Sequence, residues 1–459
     1  MTGTNTKTGT ILIRGGHLID PAASVDGLRD VVLRDGRVAE IAEPGKSSLG
    51  KGKAAADLQI IDAKGLTVAP GLVDIHVHLR EPGQGHKETI ATGTAAAAAG
   101  GFTSVACMPN TTPTNDSPEI TRWMQSPERG ASVRVFPIGA ATRAIKGEVL
   151  NDYAALKAAG VVAVTDDGHP ILKDGVMREV LINATRQGLS VIQHAEDTRL
   201  TAGCSMNAGP TAFRLGLRGM PQEAEYGLVE RDIRLVTELS SSGFGNGKGD
   251  KSGNRPHLHV AHTSTAQAVA AVRQARRNGL RVTCEVAPHH FLLTEEHVGE
   301  YDTNAKMNPP LRSAADRDAM IQGILDGVVD AIATDHAPHA SHEKEVEFER
   351  APNGITGLES ALGLSLRWLH REWKMPLSRV LSLLSTQPAS LLGLKGRGTL
   401  AVGSFADVFI FDPKAEWTFR AKDSKSKSKN TPFDGWTMQG KVHWTISEGR
   451  VVFQGSAAK

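Results

Sequence analysis

The segment Asp74-Ile75-His76-Val77-His78-Leu79-Arg80 carries the densest chemistry in the chain. Two histidines separated by one residue in an extended strand point to the same side, so both imidazoles can reach one cation. Other apolar runs end in similar groups: one in Thr165-Asp166-Asp167-Gly168, one at His194, one at His262 and one in Ala333-Thr334-Asp335. Taken singly, each has a plainer reading. A strand-end histidine is often a hydrogen-bonded structural residue, and an aspartate before glycine often holds a turn. Taken together, imidazoles and carboxylates in this number suit zinc or another borderline divalent ion. Such an ion lowers the pKa of bound water to about 7 and polarises a carbonyl, which is hydrolytic chemistry.

These groups need a scaffold that gathers strand ends. Eight candidate strands, at 72–76, 103–107, 133–138, 161–165, 190–194, 257–262, 281–287 and 330–334, alternate with helical patterns. The pattern at 88–99 is closed by Gly100-Gly101, and Ala266–Arg277 is closed by Gly279. Eight βα units over about 325 residues suit a (β/α)₈ barrel, in which the C-terminal strand ends share one mouth. A doubly wound sheet is the competing arrangement. The barrel is favoured because five of the eight strands then deliver a ligand to the same rim.

The two ends of the chain read differently. Ile11-Leu12-Ile13, Val31-Val32-Leu33 and Leu58 to Asp62 are short strands, and Asp35-Gly36 marks a hairpin. Ala406 to Phe411, Trp444-Thr445-Ile446 and Val451-Val452-Phe453 repeat that texture at the other end. We expect a composite β-sandwich domain from 1–68 plus 395–459, flanking a barrel at 69–394.

At 459 residues, 40% apolar and 22% charged, the chain is ordinary in composition, and its formal charge of +2 argues against a nucleic-acid surface. The opening MTGTNTKTGT shows no apolar signal region, no run approaches a membrane span, and Cys107, Cys204 and Cys284 form no paired pattern. A soluble cytoplasmic protein is expected. The Gly/Ser/Lys-rich stretch at 240–255 reads as a surface insertion, because Gly247-Lys248 is followed by Gly249 where a phosphate loop needs Ser or Thr. The basic run KDSKSKSK at 422–429 reads as a solvated loop. The charged stretch 342–350 reads as a solvated segment or as a lid over substrate. His289-His290 and Cys107 read as structural, and His336 as pointing away from the Asp335 side.

Longer motifs sharpen the picture. The run from Gly71 to Gly83, GLVDIHVHLREPG, and the run Ala333 to His339, ATDHAPH, resemble the two signatures of dihydroorotases in the amidohydrolase superfamily. Met108-Pro109-Asn110-Thr111, the run KMNPPLR from Lys306 to Arg312, and the run KNTPFDG from Lys429 to Gly435 are also similar to that family. The insertion at 240–255 is the main departure.

The resemblance implies reversible cyclisation of N-carbamoyl-L-aspartate to L-dihydroorotate in de novo pyrimidine synthesis, with one or two zinc ions. It implies His76, His78 and Asp335 on one metal, His194 and His262 on a second, and Asp167 bridging or supporting both. Many relatives bridge with a carboxylated lysine after the fourth strand; here Val164-Thr165-Asp166-Asp167-Gly168 offers an aspartate instead. Asp335 is implied as general base and then general acid. Arg80, Asn110 and His339 are implied to fix the substrate α-carboxylate, with His78, Asn308, Asn353 and Gly354 also against substrate. Arg80 argues against the rival reading as an allantoinase or dihydropyrimidinase, whose substrates lack that carboxylate. A second rival is an inactive homologue serving as a structural partner. A homo-oligomer, or association with aspartate transcarbamoylase, is compatible with the resemblance.

Overall fold

The computed structural model describes residues 9–51, 58–244 and 254–455. Residues 245–253 of the expected insertion, and the first eight residues, lie outside the described residues.

Eight parallel strands form the barrel: β1 (Leu72–Val77), β2 (Phe102–Cys107), β3 (Arg134–Pro137, continued by Gly139–Ala140), β4 (Ala163–Thr165), β5 (Ser190–Gln193), β6 (Leu258–Val260), β7 (Val282–Val286) and β8 (Ala331–Ile332). The order β1-β2-β3 and the order from Gly139–Ala140 through β4 to β8 cover the whole circle. A parallel bridge from Val77 to His336 closes it, reinforced by the His78 N–H donating to His336 O at 2.8 Å. Each expected strand is present, with ends within two residues of the sequence reading.

Alternation along the strands sorts side chains into two sets. Ala163, Ile192, Ala261 and Ala331 pack together inside the barrel, on the side that continues to Asp167, His194 and Asp335. Val164, Val191, Val260 and Ile332 face the surrounding helices. β1 departs from strict alternation. Val73 and Ile75 lie with the inner set, Val77 and Leu79 with the outer set, and pairing with β2 slips between Asp74 and Val77. That irregularity is what turns His76 and His78 inward.

The helix Ile90–Ala99 starts at Thr89, whose hydroxyl accepts from Thr92 N while Thr92 returns a bond to Thr89 N. At its far end a Cβ on Gly100 would lie 2.1 Å from the Leu358 carbonyl, so only glycine fits there.

Both chain ends form one eight-stranded sheet. Its order is Arg450–Gln454, Thr437–Ser447, Val408–Thr418, Thr67–Pro70, Thr10–Asp20, Val25–Arg34, Arg37–Ala42, with Leu58–Asp62 also on Thr10–Asp20. The N- and C-terminal parts join through antiparallel pairing of Thr67–Pro70 with Val408 to Phe411. Along this seam Val408 and Ile410 enter the sheet's own core, while Phe409 and Phe411 enter the barrel's outer core. Thr445 Oγ1 adds a bond to Ala98 O at 2.7 Å.

The run at 422–429 corrects the sequence reading, since it is a strap against the barrel and not a solvated loop. Ser426 and Ser428 are buried while Lys425 and Lys427 remain outside. Ser424 bonds Glu359, Ser426 bonds the buried Glu88, and Ser428 donates to Lys87 O at 2.6 Å. Buried carboxylates need donors, and the serines supply them. Among the described residues no helix is long and apolar enough to cross a membrane.

Candidate metal centre

The inward strand ends converge as the barrel requires. His76, His78, Asp167, His194, His262 and Asp335 are all at most 7% exposed. His76 Nε2 lies 3.4 Å from Asp167 Oδ1 and 3.7 Å from Asp335 Oδ1. His78 Nε2 lies 3.2 Å from Asp335 Oδ1 and 3.7 Å from Asp167 Oδ2. On the other side Asp167 Oδ1 is 3.8 Å from His194 Nδ1 and 4.0 Å from His262 Nε2. Ligand atoms fall into two tight groups, His76–Asp167–His262 and His76–His78–Asp335, so His76 belongs to both.

Three of the four imidazoles are held from behind. His76 Nδ1 meets Glu285 Oε1 at 2.7 Å, His78 Nδ1 meets Asn110 Oδ1 at 2.9 Å, and His194 Nε2 meets Glu196 Oε2 at 3.2 Å. Each partner is an acceptor, so the proton sits on the rear nitrogen and the front nitrogen presents its lone pair. The residues fit a divalent cation on two grounds. His76 Nε2 is buried and has no hydrogen-bond partner, and His194 Nδ1 converges on His262 Nε2 at 2.9 Å. Burial opposes charge on Asp167, but His76, with His78 and His194, outweighs it and holds the carboxyl well below its usual range. Burial likewise opposes charge on His76, but Asp167 and Glu285 outweigh it and raise its pKa. His262 goes the other way, pushed well down by burial and by His194 and His76.

The two neighbouring aspartates separate cleanly. Asp167 faces the histidines, whereas Asp166 turns away to accept from Thr142 N at 2.9 Å and from the Thr142 hydroxyl.

Above the floor lies a rim. Arg80 is 9% exposed, and its Nε donates to Pro338 O at 3.1 Å. Its Nη2 is 3.3 Å from His339 Nε2, which itself donates to Asn353 O at 2.8 Å. His339 is pushed down to about 2 by burial and by Arg80 and Lys87, so it is a neutral ring beside two cations. Asn308 Nδ2 donates to Glu196 Oε2 at 2.7 Å, while its Oδ1 is buried without a partner. Gly354 has φ +121°, and a Cβ there would lie 2.5 Å from Ala337 Cβ. Arg80, His262 and Asp335 all have positive φ, at 62°, 28° and 48°. Unfavourable backbone at three strand-end positions of one site fits the strain that gathers at functional loops.

One cavity of about 220 Å³ collects Arg80, His78, Asn110, Asp167, His194, His262, Asn308, Asp335, His339, Asn353 and Gly354. His76 lies beneath it. A larger cavity of about 430 Å³, between the terminal sheet and the barrel, contains none of these groups.

A family model described as Dihydro-orotase-like matches residues 65–246, and one described as Amidohydrolase family matches 246–453. The chain is 48% identical to a dihydroorotase of Citrifermentans bemidjiense, covering 97% of this chain and 99% of that protein. It is 47% identical to a dihydroorotase of Geobacter metallireducens, again over 97% and 99%. The chain belongs to the dihydroorotase family. Its fold is also that of an L-hydantoinase from Arthrobacter aurescens, with a TM-score of 0.83 at 23% identity, covering 98% of this chain and 97% of the other. A dihydropyrimidinase from Brevibacillus agri gives 0.80 at 24% identity, over 97% and 95%.

Within this dihydroorotase-family site, several residues escaped the sequence reading. Glu285 and Glu196 stand behind ligand imidazoles, and Glu285 was signalled only by a carboxylate inside the apolar run Val282–Val286. Asn430, from the end of the strap, accepts from His339 N at 3.0 Å and donates to Ala337 O and Gly354 O at 3.1 and 3.0 Å. Asn110 lines the same cavity. Its amide donates to Asp167 Oδ2 at 3.0 Å, so here it braces His78 against Asp167. His336 points away as expected, toward Glu88 at 3.4 Å. The stretch 342–350 is mostly exposed, but Lys344 and Phe348 are buried and tie it down. Lys344 Nζ donates to Pro352 O and Gly354 O, and Lys306 Nζ to Phe348 O, Glu349 O and Ala351 O.

Proposed function

We propose that the chain interconverts N-carbamoyl-L-aspartate and L-dihydroorotate, with residues 69–394 as the catalytic barrel and 1–68 plus 395–459 as the accessory β-sandwich domain. The observation that carries the reading is one cavity holding both an imidazole–carboxylate cradle and the Arg80 guanidinium. An amidohydrolase for an uncharged ring needs the first and has no use for the second.

We assign zinc to the cradle, one or two ions, with His76, His78, Asp167, His194, His262 and Asp335 as ligands. When bound, zinc supplies Lewis acidity to the reacting carbonyl and brings the ionisation of water near neutrality. In ring opening, an Asp335 carboxylate oxygen takes the proton of the attacking water as the C–O bond forms. As the ring C–N bond breaks, that proton passes from Asp335 to the leaving nitrogen. Ring closure reverses both transfers, and water leaves. Arg80 grips the unreactive α-carboxylate, with His339 beside it. The unpartnered Asn308 Oδ1 is available to a ring N–H, and the backbone at Asn353 and Gly354 walls the same side. Asn110 braces His78 and Asp167 and offers its second amide N–H to the same α-carboxylate.

A side-by-side assay of dihydroorotate, allantoin and hydantoin tests the substrate assignment. Turnover confined to dihydroorotate is expected, and preference for either other ring would overturn it. Metal analysis of the purified chain separates this enzyme from an inactive structural homologue, which would bind no zinc and stay silent after zinc loading. A cytoplasmic setting is supported by the unpaired Cys107, Cys204 and Cys284. A homo-oligomer, or a complex with aspartate transcarbamoylase, rests on the resemblance alone and is tested by light scattering with and without that enzyme.

A further inference from the structure

Barrel interiors of this kind are filled mainly by branched apolar side chains. Here β5, β6 and β7 depart from that rule on their inner faces. Ser190 Oγ lies 2.7 Å from His257 Nδ1, and His257 Nε2 lies 2.8 Å from Thr283 Oγ1. Thr283 Oγ1 lies 2.8 Å from His259 Nδ1, and His259 Nε2 lies 3.1 Å from Glu285 Oε2. Glu285 Oε1 then meets His76 Nδ1 at 2.7 Å. Ser190, His257, His259, Glu285 and His76 are all at most 7% exposed. The column therefore runs along the barrel from the start of β5 to the metal cradle.

Its direction follows from chemistry. An ionised carboxylate only accepts, so both His76 Nδ1 and His259 Nε2 carry protons toward Glu285. With its Nε2–H turned to Glu285, His259 offers Nδ1 to the Thr283 hydroxyl. Thr283 Oγ1 then accepts from His257 Nε2–H, and His257 Nδ1 accepts from Ser190 O–H. Every donor points at Glu285. Aligned hydrogen bonds polarise one another, most strongly where the surroundings are dry.

We infer that Glu285 is the positioning residue for His76, and that the column Ser190–His257–Thr283–His259 fixes Glu285 in that role. Glu285 sets which His76 nitrogen faces the cradle, and His259 stops the carboxylate from rotating away. Because His76 belongs to both ligand groups, one buried carboxylate governs the whole centre. Behind His78 stands the neutral Asn110 amide in place of a carboxylate, so the two histidines of the motif are unequal ligands. The inference rests on the metal-centre reading above, and its test separates the two.

Zinc affinity is measured by chelator competition on full-length Glu285→Gln, His259→Leu and Ser190→Ala, beside the wild type. Loss of an outer partner of a ligating histidine costs about 10- to 100-fold in affinity. That loss is expected for Glu285→Gln, a smaller one for His259→Leu, and no more than about threefold for Ser190→Ala. In parallel, ¹⁵N-histidine spectra of the wild type should show Nε2–H tautomers for His257 and His259 and Nδ1–H for His76. Wild-type affinity in Glu285→Gln overturns the inference, as do equal losses in all three variants. An Nδ1–H tautomer at His259 also overturns it, and that measurement on the wild type does not depend on any variant folding. A wild type that binds no zinc refutes the metal centre itself, which is a different failure.

Discussion

The floor and the rim of the cavity are held by different means. On the floor, His76, His194 and Asp167 are fixed by charged or strongly polar partners on barrel strands or just past their ends, as in His76–Glu285 at 2.7 Å and His194–Glu196 at 3.2 Å. On the rim, Arg80, His339, Asn353 and Gly354 are held by backbone carbonyls, neutral amides and the strap from the terminal domain. Ligand geometry must be set to within tenths of an ångström, and strand ends backed by carboxylates provide that stiffness. A substrate that enters and leaves needs walls that order without a charged lock. The comparison teaches that the terminal domain contributes to the site, because Asn430 supports the edge on which a carboxylate would rest.

Substitutions can break this division, beginning on the floor. Asp167→Ala should empty the centre and lower activity by more than about 100-fold, beyond the usual cost of losing an outer partner. Asp166→Ala should keep its zinc, since Asp166 turns away from the histidines to anchor Thr142; zinc analysis giving the opposite pattern would exchange the two roles. On the rim, Arg80→Ala should leave zinc content near normal while removing about 2–5 kcal/mol of transition-state binding, roughly 30- to 5,000-fold in kcat/KM. Retained turnover of dihydroorotate would end the carboxylate-clamp role. Asn430→Ala removes the acceptor of the His339 N–H and the amide donor to Ala337 O, and leaves Gly354 O with Lys344, at about 1–3 kcal/mol. It should raise KM by roughly tenfold with zinc and kcat little changed, and a fall in zinc content would erase the boundary between floor and rim.

The smallest effect concerns pH. Burial and then Lys306 push Lys344 down to about 7, from the ordinary lysine value of 10.5. Between these values the unfolded chain binds a proton that the folded chain does not, so this residue makes stability rise with pH across that window. Lys344→Met should flatten the rise of the denaturation midpoint between about pH 7.5 and 9.5. An unchanged slope would mean that Lys344 is not the responsible rim group.

Much of the site was legible because its ligands lie at strand ends, where alternation and chain order are local properties. The βα rhythm gave the eight strands to within two residues, and the residues picked out around His78, with Asp335 and Arg80, are gathered in one cavity. The supporting groups were not legible. Glu285 reads as one acidic residue in an apolar strand, and Ser426 as one residue of a basic run. Their meaning depends on Glu285 meeting a histidine 209 residues away and Ser426 meeting a glutamate 338 residues away.

The sequence by itself therefore determined the ligand types, their strand-end positions and the family. Those follow from spacing and residue chemistry within short segments. Only the tertiary structure decided that β1 slips to turn His76 inward, that Asp166 turns away to Thr142, and which groups stand behind the histidines. The physical reason is barrel closure. It brings strands far apart in the chain to one axis, and a buried polar atom there must take whichever partner that closure supplies.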